Sequence, residues 1–250
     1  MSAPLSLFGK LGSPATSELR AIVVSASMHG AGATTIAALV AIAAAADARR
    51  TLLLGSSDDE AARAALIGAD AEPLGIRLVT LADGDRRASF RRVAGTMREF
   101  DLVVVDAGSR LDTVTAAAGA CDARHVVVTA GVDPASLAAT YAMVKAVDER
   151  SKDATVEVLI NRQDAARGAD ACRAVQSAAG RFLGRDVRYA GTIPEDEELR
   201  AAILAASPLP FVADRFRAGQ SGLQLASRLI AEVTTKATAT YAARQHSWRD

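Results

Sequence analysis

Residues 27–35 read SMHGAGATT and lie between a β-branched run, AIVVSAS at residues 21–27, and an alanine-rich segment near residues 33–47. A strand that passes through glycines into a helix is the outline of a phosphate-binding loop. Glycines let backbone N–H groups approach an anion, and the N-terminus of a helix favours negative charge. Gly30 and Gly32 supply the glycines, but the stretch contains no lysine. The sequence therefore predicts a backbone phosphate cradle without the usual lysine.

Short apolar strands alternate with alanine-rich helical segments along the rest of the chain. The predicted strands cover residues 21–27, 51–54, 76–81, 101–106, 125–129, 156–160 and 187–193. The predicted helices lie near residues 33–47, 86–98, 134–150, 168–183, 196–206 and 221–240. Near-continuous apolar strands separated by helices are typical of a parallel sheet that is covered on both faces. The predicted fold class is therefore α/β, a doubly wound, mostly parallel sheet of the P-loop NTPase type.

Composition and charge limit the class of protein. The 29 basic and 29 acidic side chains cancel, so no overall field favours nucleic acid or an anionic membrane. The longest apolar run, residues 36–46, is about half the length of a membrane span. We therefore expect a cytoplasmic protein with a loose N-terminal arm at residues 1–19, a single α/β domain at residues 20–240 and a C-terminal tail at residues 241–250.

A second candidate feature follows the fourth predicted strand. Ligands of open α/β sheets bind at the carboxyl ends of the strands, where DLVVV is followed by Asp106. Asp106 is placed like the carboxylate that holds magnesium in P-loop NTPases, through water or a threonine hydroxyl, so Asp106 and Thr34 are the predicted metal-site residues. A Rossmann dinucleotide site is the competing interpretation of GAGATT. It requires a glycine at Thr35 and an acid at Gly55, and has neither.

Several later motifs carry a resemblance. They are DLVVVD with the AGSRLD that follows it, VVVTAGVDPASLAATYAMVKAV, the INR after the sixth strand, and FLGRDVRYAGTIPEDEELRAAI. Over residues 20–232 the chain resembles the MinD/ParA group of P-loop ATPases, and within that group the flagellar positioning protein FlhG, also called FleN. The resemblance implies ATP or ADP with Mg as the ligand, bound weakly or lost. The implied nucleotide-binding residues are Gly30, Gly32, Ala33, Thr34 and Thr35 at the phosphates, with Asn161 and Pro194 at the base.

The sequence departs from the family pattern where the chemistry would occur. The family loop reads K-G-G-x-G-K-[ST]-[ST], which places Met28 and Ala33 at its two lysines. The family's second strand ends in D-x-D, and here Gly55 and Ser57 stand at those aspartates. We therefore expect no fast ATP hydrolysis, unless Arg110 replaces a lysine and Asp58 or Asp59 replaces an acid.

The resemblance implies a regulator of the placement or number of a surface organelle, a pseudo-ATPase that works through a protein partner. Two alternatives remain open: a pilus-positioning protein like CpaE/TadZ, whose loops often carry alanine at the place of Ala33, and a slow ATPase that uses a replacement cation. In this family the first lysine of the loop, the signature lysine, reaches across to the nucleotide of a second subunit. Because Met28 stands at that position, we expect no nucleotide-dependent dimer. The C-terminal segment Gly222–Tyr241 predicts a helix that packs on the domain, since its polar face is too thin for direct membrane binding. Recruitment to a cell pole or membrane would then depend on the partner.

Overall fold

The computed structural model describes residues 20–68, 71–121 and 125–246. The predicted N-terminal arm and Trp248 lie outside these residues. The strands are β1 (Ala21–Ala26), β2 (Thr51–Ser56), β3 (Ile76–Leu81), β4 (Leu102–Asp106), β5 (His125–Ala130), β6 (Thr155–Asn161) and β7 (Arg188–Ile193). The α-helices are α1 (Ala33–Ala46), α2 (Glu60–Ile67), α3 (Arg86–Met97), α4 (Leu111–Ala120), α5 (Pro134–Arg150), α6 (Ala165–Leu183), α7 (Glu197–Leu204), α8 (Leu209–Val212) and α9 (Arg217–His246).

The strands form one sheet in the order β3-β2-β4-β1-β5-β6-β7, and each pair of neighbours in it is parallel. The predicted doubly wound α/β fold is confirmed. Helices α1, α2, α7, α8 and α9 contribute to the core on one face of the sheet, and α3 to α6 contribute to the core on the other. Alternate residues of a strand serve the two cores, so both faces must be apolar. In β1, Ile22 and Val24 point to the first face and Val23 to the second.

Three short helices are absent from the sequence prediction: α2, α4 and the four-residue α8. Helix α2, EAARAALI, follows β2 through a single 3-10 turn and buries Arg63 beside its apolar Leu66 and Ile67. A charged residue on the buried face interrupts the apolar periodicity from which a helix is recognised in a sequence. Helix α4, LDTVTAAAGA, contains two threonines, a valine and Gly119, which lower its intrinsic helix propensity. Packing on the sheet therefore stabilises α2 and α4 as helices, although their sequence signals are weak.

The last helix is longer than the sequence predicts. It was expected near residues 221–240, but α9 begins at Arg217 and continues to His246, through part of the predicted tail. Its apolar side packs on the sheet and α1 as predicted, with Ala226, Ile230 and Val233 buried. Within the described residues, no helix combines the length and the apolar character needed to cross a membrane.

A buried ionic cluster joins α9 to the sheet. Glu157 of β6 lies between Nε2 of His125, at 2.7 Å, and Nη2 of Arg228, at 2.7 Å. Arg228 also contacts Glu232 one turn further along the helix, at 2.7 Å. Burial would raise the pKa of Glu157, but the hydrogen bonds from His125 and Arg228 outweigh burial and lower this pKa to about 2. The carboxylate therefore stabilises the docked helix throughout the neutral range.

Candidate functional site

The loop between β1 and α1 has the backbone shape of a phosphate cradle. Gly30 and Gly32 adopt left-handed conformations with φ of 80° and 99°, and Gly32 is the N-cap of α1. Residues with a Cβ rarely adopt this conformation, which explains the two glycines. The first N–H groups of a helix lack partners inside it, so those of α1 are free to bind an anion. The loop that the sequence predicts therefore presents a concave surface that is rich in N–H donors.

The loops after β1, β2 and β4 enclose a cavity of about 330 Å³ above the cradle. Its lining includes Ala33, Thr34 and Thr35 from the start of α1, all predicted phosphate-site residues. The carboxylates of Asp58 and Asp59 line it from the turn after β2. The chain has only four lysines, at positions 10, 145, 152 and 236. None of the four is among the described lining residues, so the cavity has the cradle without a lysine.

Arg110, the replacement cation proposed from the sequence, does line this cavity. Its guanidinium is exposed and donates to both oxygens of Asp112, at 3.2 and 3.0 Å. This hydrogen bonding raises the pKa of Arg110, so the charge is permanent but shared. Helix α3 carries four arginines, Arg86, Arg87, Arg91 and Arg92. Arg86 is buried and donates to the carbonyl of Ala82, and the other three are exposed.

Asp106 lies at the end of β4 and is fully buried, with 0% of its surface exposed. Its Oδ1 accepts from the backbone N–H of Gly108, at 3.3 Å. Its Oδ2 faces Nη1 of Arg63, at 3.5 Å. Burial raises the pKa of Asp106, whereas the charge of Arg63 and a hydrogen bond from Thr34 act in the opposite direction. Thr34 and Asp106 therefore lie together as predicted, with an arginine that the sequence pattern did not reveal.

Arg63 fills the space that a side chain at position 55 would need. Its Nη2 donates to the carbonyl of Ser56, at 2.6 Å, and only 2% of the residue is exposed. A Cβ built on Gly55 would overlap the guanidinium, so glycine is the residue that fits beside it. The family's first aspartate position is thus occupied in space by a cation from α2.

A second cavity of about 220 Å³ opens on the other side of the loop. Its lining includes Asn161 at the end of β6, Arg162 just after it and Pro194 just after β7, together with apolar side chains of α1 and α7. Nδ2 of Asn161 donates to the carbonyl of Ala31, at 3.0 Å, and Nη2 of Arg162 donates to the carbonyl of Gly30, at 2.9 Å. Both side chains thereby hold the loop from the side predicted to receive a base.

Comparisons with solved structures identify the fold. The MinD cell division protein of Aquifex aeolicus matches with a TM-score of 0.62 and 17% identity, over 85% of this chain and 97% of that one. A putative plasmid partition protein of Borrelia burgdorferi, bound to AMPPNP, matches with a TM-score of 0.62 and 14% identity, over 85% and 98%. Apo McdA of Cyanothece matches with a TM-score of 0.63 and 12% identity, over 84% and 99%. The fold is that of the MinD/ParA P-loop ATPases. No family model and no curated protein matches the sequence.

The MinD/ParA fold brings the predicted residues to two adjoining places. Gly30, Gly32 and Thr35 border both cavities, and Ala33 and Thr34 border the phosphate cavity. Asn161 and Pro194 border the other cavity. The nucleotide role of these residues stays a prediction. The side chain of Asn161 already has partners within the chain, since its Oδ1 also accepts from the N–H of Arg162, at 3.0 Å.

The MinD/ParA resemblance implied a magnesium site at Thr34 and Asp106, but the groups around Asp106 do not suit a magnesium ion. A metal bound to Oδ2 of Asp106 would lie against the guanidinium of Arg63, and like charges at such distances repel strongly when buried. At position 57 the family's second aspartate is replaced by a serine, whose hydroxyl donates to Asp83 at 2.6 Å. The structure therefore places the left-handed glycine loop near a carboxylate that is already paired with the guanidinium of Arg63.

Sequence reasoning missed Arg63 and Arg162. Arg63 could have been found from DDEAARAALIG, where acids precede and Gly68 follows a short helical segment. The helix would place Arg63 one turn before Leu66 and Ile67, on the side that faces the sheet. Arg162 has a φ of 56°, unusual for a residue with a Cβ, and no sequence signal marks it.

Proposed function

We propose that this chain is a pseudo-ATPase of the MinD/ParA type, which regulates the placement or number of a surface organelle such as the flagellum through a protein partner. One observation carries the proposal: the phosphate cradle at Gly30 and Gly32 is intact, while the side chains expected to drive hydrolysis are replaced. A cradle without catalytic side chains supports binding more readily than turnover.

Weak nucleotide binding follows from what the cradle keeps. Backbone N–H groups and the dipole of α1 do not depend on lysine, and both favour ATP or ADP phosphates. Each missing lysine removes a charge-assisted hydrogen bond worth roughly 1.5–3 kcal/mol. The loss of two lysines weakens binding by about two to four orders of magnitude. We therefore expect nucleotide to be a weak ligand.

A slow ATPase is the second candidate, because Asp58, Asp59 and Arg110 all line the phosphate cavity. The two acids occupy the wall from which a water could be oriented, and Arg110 supplies the only arginine among the described lining residues. Since a cation at the transition state is worth about 10³–10⁵ in rate in related phosphoryl-transfer sites, the shared charge of Arg110 is a poor substitute.

The partner is expected to be a protein, because the neutral net charge gives no general attraction to DNA or anionic lipid. Among solved structures of the same fold, one is a MinC:MinD cell division protein complex. A pilus-positioning role, as in CpaE/TadZ, is the alternative within the same class and is favoured by alanine at position 33. In either case the protein would act in the cytoplasm and reach its site through the partner.

Restoring one lysine tests the proposal. We expect Ala33→Lys to tighten ADP and ATP binding by about tenfold to a hundredfold, the worth of one charge-assisted phosphate contact, with hydrolysis still negligible. Ala46→Lys is the matched control, because it adds the same charge at the far end of the same helix and should leave affinity unchanged. Calorimetric titration and phosphate release are the measurements.

Three results would contradict the proposal. Tight nucleotide binding by the wild type would mean that another group already replaces the lysine. Equal affinities of Ala33→Lys and Ala46→Lys would mean that the loop is no longer a phosphate cradle. Steady phosphate release by the wild type would favour the slow ATPase.

A further inference from the structure

Arg63 is a buried cation behind the wall of the phosphate cavity, where it donates to the carbonyl of Ser56, a residue that lines this cavity. Its Nη1 lies 3.5 Å from Oδ2 of Asp106, and within the described part of the chain neither atom has a hydrogen-bond partner. The two unpartnered atoms face one another, so the charge of each is balanced chiefly by the other. A buried arginine without a nearby carboxylate would be strongly unfavourable.

We propose that Arg63 takes the place of a divalent cation beside Asp106, so that this site binds the phosphates of a nucleoside diphosphate without metal. The binding of a nucleotide rests on the proposed function. The exclusion of metal rests on the ion pair alone, which is a separate observation.

Arg63 is held where it stands. Its Nη2 donates to the carbonyl of Ser56, and its guanidinium packs against Gly55, where no Cβ competes for the space. The residue is carried by α2, whose Leu66 and Ile67 are anchored in the core. To admit a metal at Oδ2, the guanidinium would have to leave a buried position and its hydrogen bond. Coulomb repulsion and this anchoring act together against a divalent ion.

The charges on the cavity wall select the class of nucleotide. Asp58 and Asp59 line the cavity, and the opposing charge of Arg110 is shared with Asp112. Without metal, each additional phosphate brings negative charge towards these carboxylates. ADP therefore binds at least as tightly as ATP when no metal is present.

The first experiment measures ADP affinity by calorimetry, in EDTA and in excess Mg²⁺. For the wild type we expect the two affinities to agree within about twofold. For Arg63→Met, which keeps the length of the side chain and removes its charge, Mg²⁺ should raise the affinity at least tenfold, since Asp106 then needs another cation. Arg77→Met is the matched control, because Arg77 is exposed on β3 and its removal should leave the wild-type pattern. A tenfold gain with Mg²⁺ in the wild type would overturn the proposal, whether or not Arg63→Met folds.

A second experiment separates this inference from the proposed function. If ADP binds in neither condition, the proposed function fails, and titration of Mn²⁺ alone, followed by electron paramagnetic resonance, decides the role of Arg63. Bound Mn²⁺ in Arg63→Met but not in the wild type supports a cation exclusion by Arg63. Bound Mn²⁺ in the wild type that is lost in Asp106→Asn contradicts it. So does the absence of bound Mn²⁺ from both the wild type and Arg63→Met, because Arg63 would then not be what keeps metal out.

Discussion

Replacing Gly55 by alanine tests the packing of Arg63 directly. The backbone φ of Gly55 is not positive, so its conformation does not itself require glycine. Alanine in a strand normally gains about 0.5–1 kcal/mol over glycine. Here the new Cβ would overlap the guanidinium of Arg63 and displace it from Asp106. Breaking a buried ion pair costs about 3–5 kcal/mol, so the net loss of unfolding free energy should be about 2–4 kcal/mol.

A double-mutant cycle isolates the cause. In an Arg63→Ala background the guanidinium is gone, and Gly55→Ala should then be neutral or slightly stabilising. Urea unfolding at pH 7 gives the free energies, with unchanged m-values as the sign that both states remain comparable. Gly180→Ala is the control, because a Cβ at this exposed position of α6 meets no neighbour within 4 Å. It should gain about 0.5–1 kcal/mol.

Two outcomes would refute the reasoning. If Gly55→Ala costs less than about 1 kcal/mol in the wild type, Arg63 is not held against position 55. If the cost is the same in both backgrounds, the loss comes from the strand itself and not from the arginine.

Other predictions concern the ionic cluster, the oligomeric state and the membrane. The pKa of Glu157 is about 2 against an ordinary 4.5, so its contribution to stability is complete above pH 4.5 and is lost as the pH falls towards 2. The stability difference between the wild type and Glu157→Gln, from urea midpoints, should shrink by up to about 3 kcal/mol over that window, and a constant difference would count against the shift. Light scattering should show no doubling of mass on adding ATP, because Met28 offers no cation to a second subunit. Co-sedimentation with anionic liposomes should show no strong binding by the purified protein alone, and strong binding would exclude partner-dependent recruitment.

The sheet could be predicted from the sequence because its strands are apolar on both sides. Six of the seven predicted strands have bounds within one residue of the observed ones, and the exception is the second strand, 51–54 against Thr51–Ser56. The second strand was cut short at Gly55, since glycine is a poor strand former. Gly55 nevertheless pairs with Thr80 of β3 and Asp106 of β4, and the guanidinium of Arg63 fills the space that a side chain there would need.

The candidate site was predictable only in part. The cradle at Gly30 and Gly32 follows from local sequence, since left-handed glycines before a helix are a backbone property. The pairing of Arg63 with Asp106 depends on a contact between α2 and β4, distant in sequence and reached only through the fold. The role of Asn161 at the base stays a prediction, and its hydrogen bond to the carbonyl of Ala31 could not be predicted from the strand that it ends.

Helix α9 has a consequence for the order in which the protein matures during synthesis. It covers α1, and Gly222 approaches so closely that a Cβ there would lie 2.5 Å from Cδ1 of Leu39. A ribosome delivers α1 early and α9 late, so the apolar side of the first helix stays uncovered while most of the domain is already made. Until Arg228 arrives, Glu157 has only His125 as its partner in the cluster. The loop at the head of α1 is therefore among the first parts to emerge from the ribosome and among the last to rest on a finished core.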